Sequence, residues 1–414
     1  MATSTLSASW APTARRLADD GVKALVVIGT SASDPYLAPF VGPVHLASSL
    51  VVLPASGAPR LGYLTPMERD GAAATGLELI TPEQLDMLRW TRDGALPDEM
   101  WANVVSRALH LCELAPGELA LAGSLSAGWL SSCCRRLAEE GWTFRPGEPY
   151  LDLLRKTKTS RDIRELEAVC AGIGEAYGEI ISLLRRADSS GELLRIDGEP
   201  LTVGHLRQRV AAVFSAHGLA QPHGNIVAPG EQGAVPHNVG DNGRALRPGE
   251  SLVVDLFPKG TLYGDCTRTF CVGTPTDAFR DAFGHVQQAL RAAEEATESG
   301  VVGWDLQELV CERFDAAGYA TPITEPGTEV GYVHGLGHGV GFELHELPTF
   351  RPNLPAKQGT LSIGDVLTLE PGLYEPAAGW AVRIENLYVL QEDGLRNLTP
   401  FPETWDPERW VSKQ

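Results

Sequence analysis

The stretch that decides the fold is "SLVVDLFPKGTLYGDCTRTF", residues 251–270, in which acidic residues interrupt two apolar runs. The first apolar run predicts a buried strand, the Pro-Lys-Gly sequence predicts a turn, and a second strand is predicted from Leu262. With the hairpin centred near Gly260, Asp255 and Asp265 should face each other with their Cβ atoms about 5 Å apart. The alternative is that the turn lies elsewhere and that each aspartate is exposed or hydrogen-bonded to backbone.

Two facing carboxylates indicate a metal site, because burying such a pair is costly unless one group is protonated or a cation lies between them. Two later segments carry the same kind of signal. "DVLTLEPGLY" ends an apolar strand on Glu370, and "WAVRIENLYVL" puts Arg383 and Glu385 on one face of a single predicted strand. In isolation, Arg383 and Glu385 would be interpreted as an ordinary ion pair. The other acidic strand residues in the same domain favour a ligand role for Glu385.

Three of the ten histidines lie in "HGLGHGVGFELHE", residues 334–346. The spacing of His334 and His338 resembles the H-x-x-x-H zinc pattern of helices. The interspersed glycines argue against a helix, because each costs roughly 1 kcal/mol relative to alanine in a helix interior. We therefore predict an extended segment whose glycines let the backbone approach metal and substrate closely.

Four carboxylates and one imidazole are a suitable ligand set for two divalent ions. Oxygen ligands suit Mn²⁺ and Mg²⁺, and an imidazole raises the affinity for Zn²⁺, Mn²⁺ or Co²⁺. Two such ions about 3.5 to 4 Å apart can share a bridging hydroxide and polarise a carbonyl group. The residues alone therefore indicate metal-dependent hydrolysis.

The length of 414 residues predicts two domains, because a single core rarely grows beyond about 250 to 300 residues. Strand-like and helix-like segments alternate over residues 1–155, which is typical of an α/β domain. Residues 156–414 mix helical segments with strands that carry unexpected charges and are predicted to form an α+β domain. The boundary is predicted near Arg155.

Composition and charge exclude several classes of protein. No segment approaches the roughly 18 consecutive apolar residues of a membrane span, and the N-terminus has no apolar stretch typical of a secretory signal, so we expect a cytoplasmic protein without a membrane partner. The seven cysteines are scattered and form no C-x-x-C pair, which favours reduced thiols. A net charge of -19 argues against a nucleic-acid partner. Small molecules or peptides remain as substrates.

Five motifs occur in a fixed order, "VVDLF", "GDCTRTF", "GLGHGVG", "LEPGLY" and "VRIEN". Together they resemble the pita-bread metallopeptidase family, which includes aminopeptidase P, prolidase, methionine aminopeptidase and the non-peptidase creatinase. The resemblance extends from residue 155 to about residue 405. It implies an α+β protein in which a pita-bread catalytic domain follows a smaller α/β domain of the creatinase type.

The resemblance implies a dinuclear site and assigns each ligand a role. Asp265 and Glu385 would bridge the two ions, Asp255 would bind one ion, and His338 and Glu370 would bind the other. Glu370 also matches the position of the general base toward the bridging hydroxide, a role that suits a carboxylate beside a metal-activated nucleophile.

The resemblance also implies a set of substrate-side residues. His237 in "GAVPHNVGDN", His334 and His345 match histidines that contact the scissile carbonyl or the tetrahedral intermediate and pass protons, and Arg383 is included among the catalytic residues. Two motifs depart from the family pattern: "DLFPKG" stands where Asp-x-Gly is usual, and Asn386 stands where aspartate often follows the last ligand. Neither departure removes a ligand.

The motif "HGLGHGVG" and the additional N-terminal domain favour the branch that cleaves Xaa-Pro bonds. A dipeptidase must bind the free carboxylate of the terminal proline, for which arginine is the usual bidentate partner. Many prolidases have this arginine in a pattern like H-E-x-P-R, where this chain has Thr349, and Arg351 follows two residues later. If Arg351 turns into the pocket, a proline dipeptidase is favoured, and this is the slight preference. If Arg351 is solvated, longer peptides are accepted, as in aminopeptidase P.

Two alternatives belong to other functional classes, a creatinase-type hydrolase that is not a peptidase and a binding protein that has lost catalysis. The complete ligand set argues against the inactive homologue, and because creatinase-type members depart from this set, it argues against a metal-free hydrolase as well. The resemblance further implies two Mn²⁺ ions, with Zn²⁺ or Co²⁺ as substitutes, and a proline-containing di- or oligopeptide as substrate. It also implies a homodimer in which the N-terminal domain helps to form the interface and the rim of the pocket.

Overall fold

The computed structural model describes residues 10–30, 34–94, 96–354 and 356–411. The chain divides into two compact units, Met1–Thr159 and Ser160–Gln414. The boundary predicted near residue 155 falls near the end of the last helix of the first unit.

A six-stranded mixed sheet forms the centre of the first unit. Alternate residues of its first strand enter two different cores, since Leu25 packs with Leu17 and Leu151 and Val26 packs with Val104. This burial on both faces explains why the strands are continuous apolar runs. In chain order the elements are α1 (Ala11–Asp19), β1 (Ala24–Gly29), α2 (Ala38–Val41), β2 (Ser49–Pro54), β3 (Arg60–Tyr63), α3 (Arg69–Ala74), β4 (Glu78–Ile80), α4 (Met87–Asp93), α5 (Pro97–Leu111), β5 (Glu118–Gly123), α6 (Ala127–Glu139), β6 (Thr143–Pro146) and α7 (Glu148–Lys156).

The second unit combines long helices with a three-stranded sheet, a five-stranded sheet and two two-stranded sheets. Within the described residues, none of the helices in either unit has the length and hydrophobicity of a membrane span. The elements of the second unit are α8 (Ser160–Arg186), β7 (Arg195–Ile196), β8 (Glu199–Pro200), α9 (Val203–Ala216), β9 (Ile226–Pro229), α10 (Gly230–Gly233), β10 (Leu252–Leu256), β11 (Cys266–Phe270), α11 (Asp277–Ala296), α12 (Gly303–Ala316), β12 (His338–Gly339), β13 (Glu346–Thr349), α13 (Ala356–Gly359), β14 (Val366–Leu369), β15 (Gly372–Glu375), β16 (Trp380–Arg383), β17 (Asn386–Gln391) and β18 (Gly394–Asn397).

The predicted hairpin exists, but its register differs from the prediction. Asp255 pairs with Thr267 and not with Asp265, and β11 begins at Cys266 rather than at Leu262. The chain between the strands is irregular because Pro258 has no N–H for a sheet ladder. Several backbone groups between the two strands form hydrogen bonds with other segments of the chain instead. Asp255 and Asp265 are therefore diagonal neighbours on one face of the sheet, a position from which side chains still interact.

The single strand predicted for "WAVRIENLYVL" is two strands in different sheets. β16 pairs with β15, whereas β17 pairs with β14. The chain turns at Glu385 because its backbone N–H donates to the Thr267 carbonyl at 3.1 Å, outside either ladder. Glu385 is thereby held at the junction of the two sheets.

The glycine-rich segment at residues 334–346 is not helical, as its glycines predicted. Two of these glycines allow close approaches to other backbone segments. A Cβ atom on Gly337 would lie 2.1 Å from the Thr368 carbonyl oxygen, and one on Gly339 would lie 2.2 Å from the Leu347 carbonyl oxygen. The glycines therefore let the segment fit between its neighbours, β13 and β14.

Tyr177 of α8 fastens the long helix to the hairpin. Its side chain is fully buried, and its hydroxyl donates to the carbonyl oxygens of Val254 at 3.1 Å and Cys266 at 2.8 Å. Each acceptor is next in sequence to a predicted metal ligand. The helix thus supports the hairpin from the face opposite the ligands.

We expect Tyr177→Phe to lower the free energy of unfolding by about 1 to 3 kcal/mol, because two buried carbonyls lose a donor. Urea unfolding followed by circular dichroism measures the change. Tyr319→Phe is the matched control, since among the described residues the half-buried hydroxyl of Tyr319 has no hydrogen-bond partner, and we expect it to stay within about 0.5 kcal/mol of the parent protein. Equal effects of the two substitutions would contradict the fastening role.

Candidate metal centre

The five predicted ligands come from five separate places in the second unit, all at or next to strands. Asp255 lies within β10, Asp265 immediately precedes β11, and His338 begins β12. Glu370 directly follows β14, and Glu385 lies between β16 and β17. The backbone of these residues is held by strands or by hydrogen bonds next to them, such as those from the N–H groups of Glu370 to Leu336 and of Glu385 to Thr267.

Three of the predicted ligands form a compact cluster. One ligand atom each from Asp265, His338 and Glu385 lie within 4.8 Å of one another. The Nε2 atom of His338 is 3.2 Å from Oε1 of Glu370 and 3.9 Å from Oδ2 of Asp265. The Nδ1 atom of His338 is 3.1 Å from the Gly339 carbonyl oxygen. An N–H on Nδ1 would satisfy this carbonyl and leave the lone pair of Nε2 directed at the carboxylates.

The buried carboxylates repel one another. Burial, followed by the negative charges of its acidic neighbours Glu385 and Asp255, raises the pKa of Asp265 well above its usual range. Burial and the charges of Glu370 and Asp255 do the same to the pKa of Glu385. A divalent cation between these groups would oppose both shifts, because its positive charge favours the ionised carboxylates.

Asp255 has one oxygen satisfied and one without a partner. Its Oδ2 atom accepts a hydrogen bond from Nη2 of Arg383 at 2.7 Å. Its Oδ1 atom is buried and, among the described residues, has no hydrogen-bond partner. Burial raises the pKa of Asp255, although Arg383 opposes the shift. An orphaned carboxylate oxygen beside four other oxygen and nitrogen donors fits a divalent metal ion.

Glu370 and His338 shift each other's pKa toward the charged form, so Glu370 is the one predicted carboxylate ligand whose pKa is lowered. Burial alone would raise the pKa of Glu370, but the hydrogen bond and charge of His338 lower it overall. Burial alone would lower the pKa of His338, but Glu370 raises it overall. Glu370 is therefore the carboxylate of the cluster that is most readily ionised.

The predicted substrate-side histidines occupy different environments. The Nε2 atom of His334 is 2.8 Å from the Tyr374 hydroxyl, and burial lowers the pKa of His334. The ring of His345 packs on His338 with 4.2 Å between centroids, and burial followed by the charge of His338 lowers the pKa of His345 to about 4. His237 is exposed and interacts electrostatically with both His334 and His345.

Arg383 does not pair with Glu385, as an isolated ion pair on one strand would require. Its guanidinium contacts Asp255 and donates to the Tyr374 hydroxyl at 2.8 Å and to Oγ1 of Thr267 at 3.1 Å. The separate strands explain the difference, because the turn at Glu385 points the two side chains to different partners.

Two residues of the site were missed by the sequence reasoning. Tyr374 links Arg383 to His334 through its hydroxyl, and Thr267 donates to Oε2 of Glu385 at 2.8 Å. Both lie in the quoted motifs, but only Thr267 could have been found from sequence. A hairpin register centred one residue later puts Thr267 opposite Asp255.

Arg351 is exposed, and among the described residues it has no ion-pair or hydrogen-bond partner. It lies two residues beyond Thr349, which pairs with His338 in the sheet. The position at which many prolidases carry an arginine is therefore directly opposite the metal-site histidine, while Arg351 lies just past the end of the strand.

Comparison with known proteins agrees with this geometry. The sequence profile of metallopeptidase family M24 matches residues 167–392, which is more than half of the chain. The chain belongs to metallopeptidase family M24. The predictions of a metallopeptidase and of the pita-bread branch are therefore confirmed. The M24 match contains all five predicted ligands and ends shortly after Glu385.

Relatives of this M24 chain include the Xaa-Pro dipeptidase of Pyrococcus furiosus, which is 31% identical over 265 residues. That alignment covers 62% of this chain and 66% of the relative, slightly less than two thirds of its length. Two solved structures share the fold over nearly the whole chain. The dipeptidase of Pyrococcus horikoshii has a TM-score of 0.74 at 21% identity, covering 96% of this chain and 99% of that one. The X-Pro aminopeptidase of Thermotoga maritima has a TM-score of 0.72 at 19% identity, covering 93% and 97%.

The predicted fold class is confirmed by these similarities, since an M24 domain follows an N-terminal α/β domain in one continuous structural match. At these identities the structural similarity establishes the fold alone. The substrate must be argued from the site.

We expect Asp265→Asn to stabilise the metal-free protein by about 1 kcal/mol, because it removes one of several repelling buried charges. The same substitution should leave fewer than two bound Mn²⁺ ions per chain. Urea unfolding in a chelator and elemental analysis after reconstitution measure the two effects. Asp393→Asn, in an exposed turn, is the control and should change neither.

The stabilisation should depend on pH with a defined sign. A carboxyl whose pKa is raised in the folded state destabilises the fold as pH rises above the unfolded value of about 3.9. The advantage of Asp265→Asn over the parent protein should therefore grow from pH 4 toward neutrality. A constant difference across this window would contradict the repulsion argument.

Proposed function

We propose that this protein hydrolyses Xaa-Pro peptide bonds with two divalent metal ions and prefers dipeptides that end in proline. The observation that carries the proposal is the convergence of Asp265, His338 and Glu385 within 4.8 Å, next to two histidines with lowered pKa values. The five ligands would be Asp255, Asp265, His338, Glu370 and Glu385. When bound, the ions supply an activated water nucleophile and polarise the scissile carbonyl.

The chain's own residues handle the protons. A bound cation would keep Glu370 in its carboxylate form, so one of its oxygens would accept the proton of the attacking water. His345 is neutral at physiological pH, and His334 has Nε2 as hydrogen-bond acceptor toward Tyr374. The neutral imidazole of His345 can donate to the developing oxyanion and transfer a proton to the leaving nitrogen, whereas both ring nitrogens of His334 already have partners, the Tyr374 hydroxyl and the Gly335 carbonyl.

Arg383 and Tyr374 orient these groups rather than react. Arg383 holds Oδ2 of Asp255 at 2.7 Å and the Tyr374 hydroxyl at 2.8 Å. Tyr374 in turn donates to Nε2 of His334, which sets the tautomer of that ring. The network couples the first predicted ligand to the substrate-side histidine.

The proposed Xaa-Pro specificity rests on the names of the related enzymes together with the site. Proline lacks an N–H and has a restricted φ, so a pocket must be shaped for its ring. The relatives with the same fold include enzymes named Xaa-Pro dipeptidase and X-Pro aminopeptidase. We assign the dipeptidase activity as the first candidate because the dipeptidase relatives also match in sequence.

Xaa-Pro aminopeptidase activity on longer peptides is the second candidate. The observation that favours it is the exposed side chain of Arg351. Because position 349 is a threonine, no arginine lies there to bind a terminal carboxylate. A peptide that continues beyond proline has no carboxylate there and loses nothing by its absence.

We further propose Mn²⁺ as the metal in the cell. Four carboxylates and one imidazole are ligands that suit Mn²⁺, whereas a site rich in thiolates or made only of histidines would suit it less well. A homodimer and a cytoplasmic location are proposed on the family resemblance. The seven free cysteines are compatible with a reducing compartment. Sedimentation measures the oligomeric state.

The activity is tested with the Mn²⁺-reconstituted protein and two substrates. We expect release of proline from an Xaa-Pro dipeptide and slower release of the first residue from an Xaa-Pro-Xaa tripeptide. Faster cleavage of the tripeptide would assign the protein to the aminopeptidase activity. Hydrolysis of neither peptide, with two ions bound, would overturn the peptidase assignment.

Arg351 and Thr349 are tested by moving the arginine. If Arg351 reaches the terminal carboxylate, Arg351→Ala should raise KM for the dipeptide about 10-fold or more, the worth of a charge-assisted hydrogen bond, and leave KM for the tripeptide unchanged. Thr349→Arg should lower KM for the dipeptide and not for the tripeptide. Arg396→Ala, a surface arginine that pairs with Glu167, is the control. A dipeptide KM that neither substitution changes would contradict carboxylate recognition at this edge.

A further inference from the structure

Arg268 is a buried charge that the proposed mechanism does not use. It is only 1% exposed and is the bulkiest of the fully buried side chains in the described chain. It lies in β11 on the face opposite Asp265, Thr267 and Thr269, because successive strand residues point to opposite faces. A buried guanidinium costs several kcal/mol of desolvation, so its retention calls for a reason.

The partners of Arg268 are neutral groups. Among the described residues, no carboxylate forms an ion pair with it, and its acceptors are five backbone carbonyl oxygens, one amide oxygen and one thiol sulfur. These acceptors are the carbonyls of Thr267 at 2.8 Å, Glu385 at 2.6 Å, Thr399 at 3.3 Å, Phe401 at 3.0 Å and Pro402 at 3.0 Å, Oδ1 of Asn386 at 2.7 Å and Sγ of Cys266 at 3.3 Å.

The carboxylates that balance the charge of Arg268 do not pair with it directly but are linked to it through Asn386. Asn386 accepts from Arg268 through Oδ1 and donates through Nδ2 to Oε1 of Glu403 at 2.8 Å and to the Tyr388 hydroxyl at 3.0 Å. Tyr388 in turn donates to Glu294. The neutral amide at position 386 therefore keeps the countercharge away from the metal carboxylates.

The geometry at Nη1 of Arg268 joins the two segments that carry the central ligands. This one nitrogen donates both to the Thr267 carbonyl and to the Glu385 carbonyl. Thr267 is two residues from Asp265 in β11, whereas Glu385 joins strands of two other sheets. The same junction is closed by the bond from the Glu385 N–H to the Thr267 carbonyl at 3.1 Å.

We propose that Arg268 is a positioning residue that sets the spacing of Asp265 and Glu385, and thereby the affinity and geometry of the metal centre. This rests on the dinuclear site of the proposed function. Asp265 and Glu385 repel each other, so without the hydrogen bonds of Arg268 the two backbone segments that carry them would move apart in the metal-free protein. Arg268 opposes this from behind, through the backbone, without contacting metal or substrate.

Lysine cannot substitute for Arg268 in this role. A guanidinium presents five N–H donors in a fixed plane, whereas an ammonium is a single point with three donors. Arg268→Lys keeps the charge but cannot reach the Glu385, Asn386 and Pro402 acceptors together.

The test compares Arg268→Lys with Arg185→Lys. Arg185 also donates to backbone carbonyls, those of Pro407 at 2.8 Å and Trp410 at 2.7 Å, but far in sequence from every ligand. Each variant is prepared metal-free and titrated with Co²⁺ by calorimetry, and its visible Co²⁺ absorption spectrum and melting temperature are recorded. We expect Arg268→Lys to weaken Co²⁺ binding about 10- to 100-fold and to alter the spectrum. Arg185→Lys should change only the melting temperature.

Wild-type Co²⁺ affinity and spectrum in folded Arg268→Lys would overturn the proposal. If Arg268→Lys does not fold, Asn386→Ala takes its place, because it removes one acceptor and leaves the guanidinium present. Asn386→Ala should weaken Co²⁺ binding in the same direction but less, and unchanged binding there would equally overturn the proposal. A parent protein that binds fewer than two ions would instead contradict the proposed function.

Discussion

Four carboxylates packed around one imidazole in a buried space are the constraint on which the second unit depends. Burial and mutual repulsion raise the pKa values of Asp265 and Glu385 well above their usual range, so the folded chain must protonate one of the groups, bind a cation or hold them on a backbone that cannot yield. The ligands accordingly lie at or next to strands rather than on mobile loops. The strands therefore give rigid support to side chains that repel one another.

Hydrogen bonds support the cluster from two sides. On one side, Arg383 contacts Asp255 and Tyr374, and Tyr374 contacts His334, so the orientation of a predicted substrate-side histidine depends on the same guanidinium as a predicted ligand. On the opposite side, Tyr177 and Arg268 bind the backbone of the ligand-bearing segments. We propose that the first network orients the groups that react and that the second holds together backbone segments whose side chains repel one another.

Substrate choice is a separate matter from catalysis. The three histidines of residues 334–346 divide into one predicted ligand and two groups with lowered pKa values, an arrangement that would suit any peptide bond with a polarised carbonyl. Recognition of a terminal carboxylate would require an arginine near Thr349, which lies opposite His338. Under the proposed function, the residues at this strand edge would distinguish a dipeptidase from an aminopeptidase, and both activities would use the same metal site.

The sequence by itself determined which residues could form the centre, because carboxylates inside apolar strands and histidines among glycines are rarely explained by the needs of the fold alone. It also determined the two-domain α+β fold through its ordered motifs. The tertiary structure decided the pairing: Asp255 opposes Thr267 rather than Asp265, and Arg383 contacts Asp255 rather than Glu385. The contacts of Tyr374 and Arg268 with the site could be identified only from the tertiary structure. The physical reason is that strand periodicity fixes the face on which a side chain lies, whereas register and sheet membership depend on turns and on contacts between residues more than a hundred positions apart.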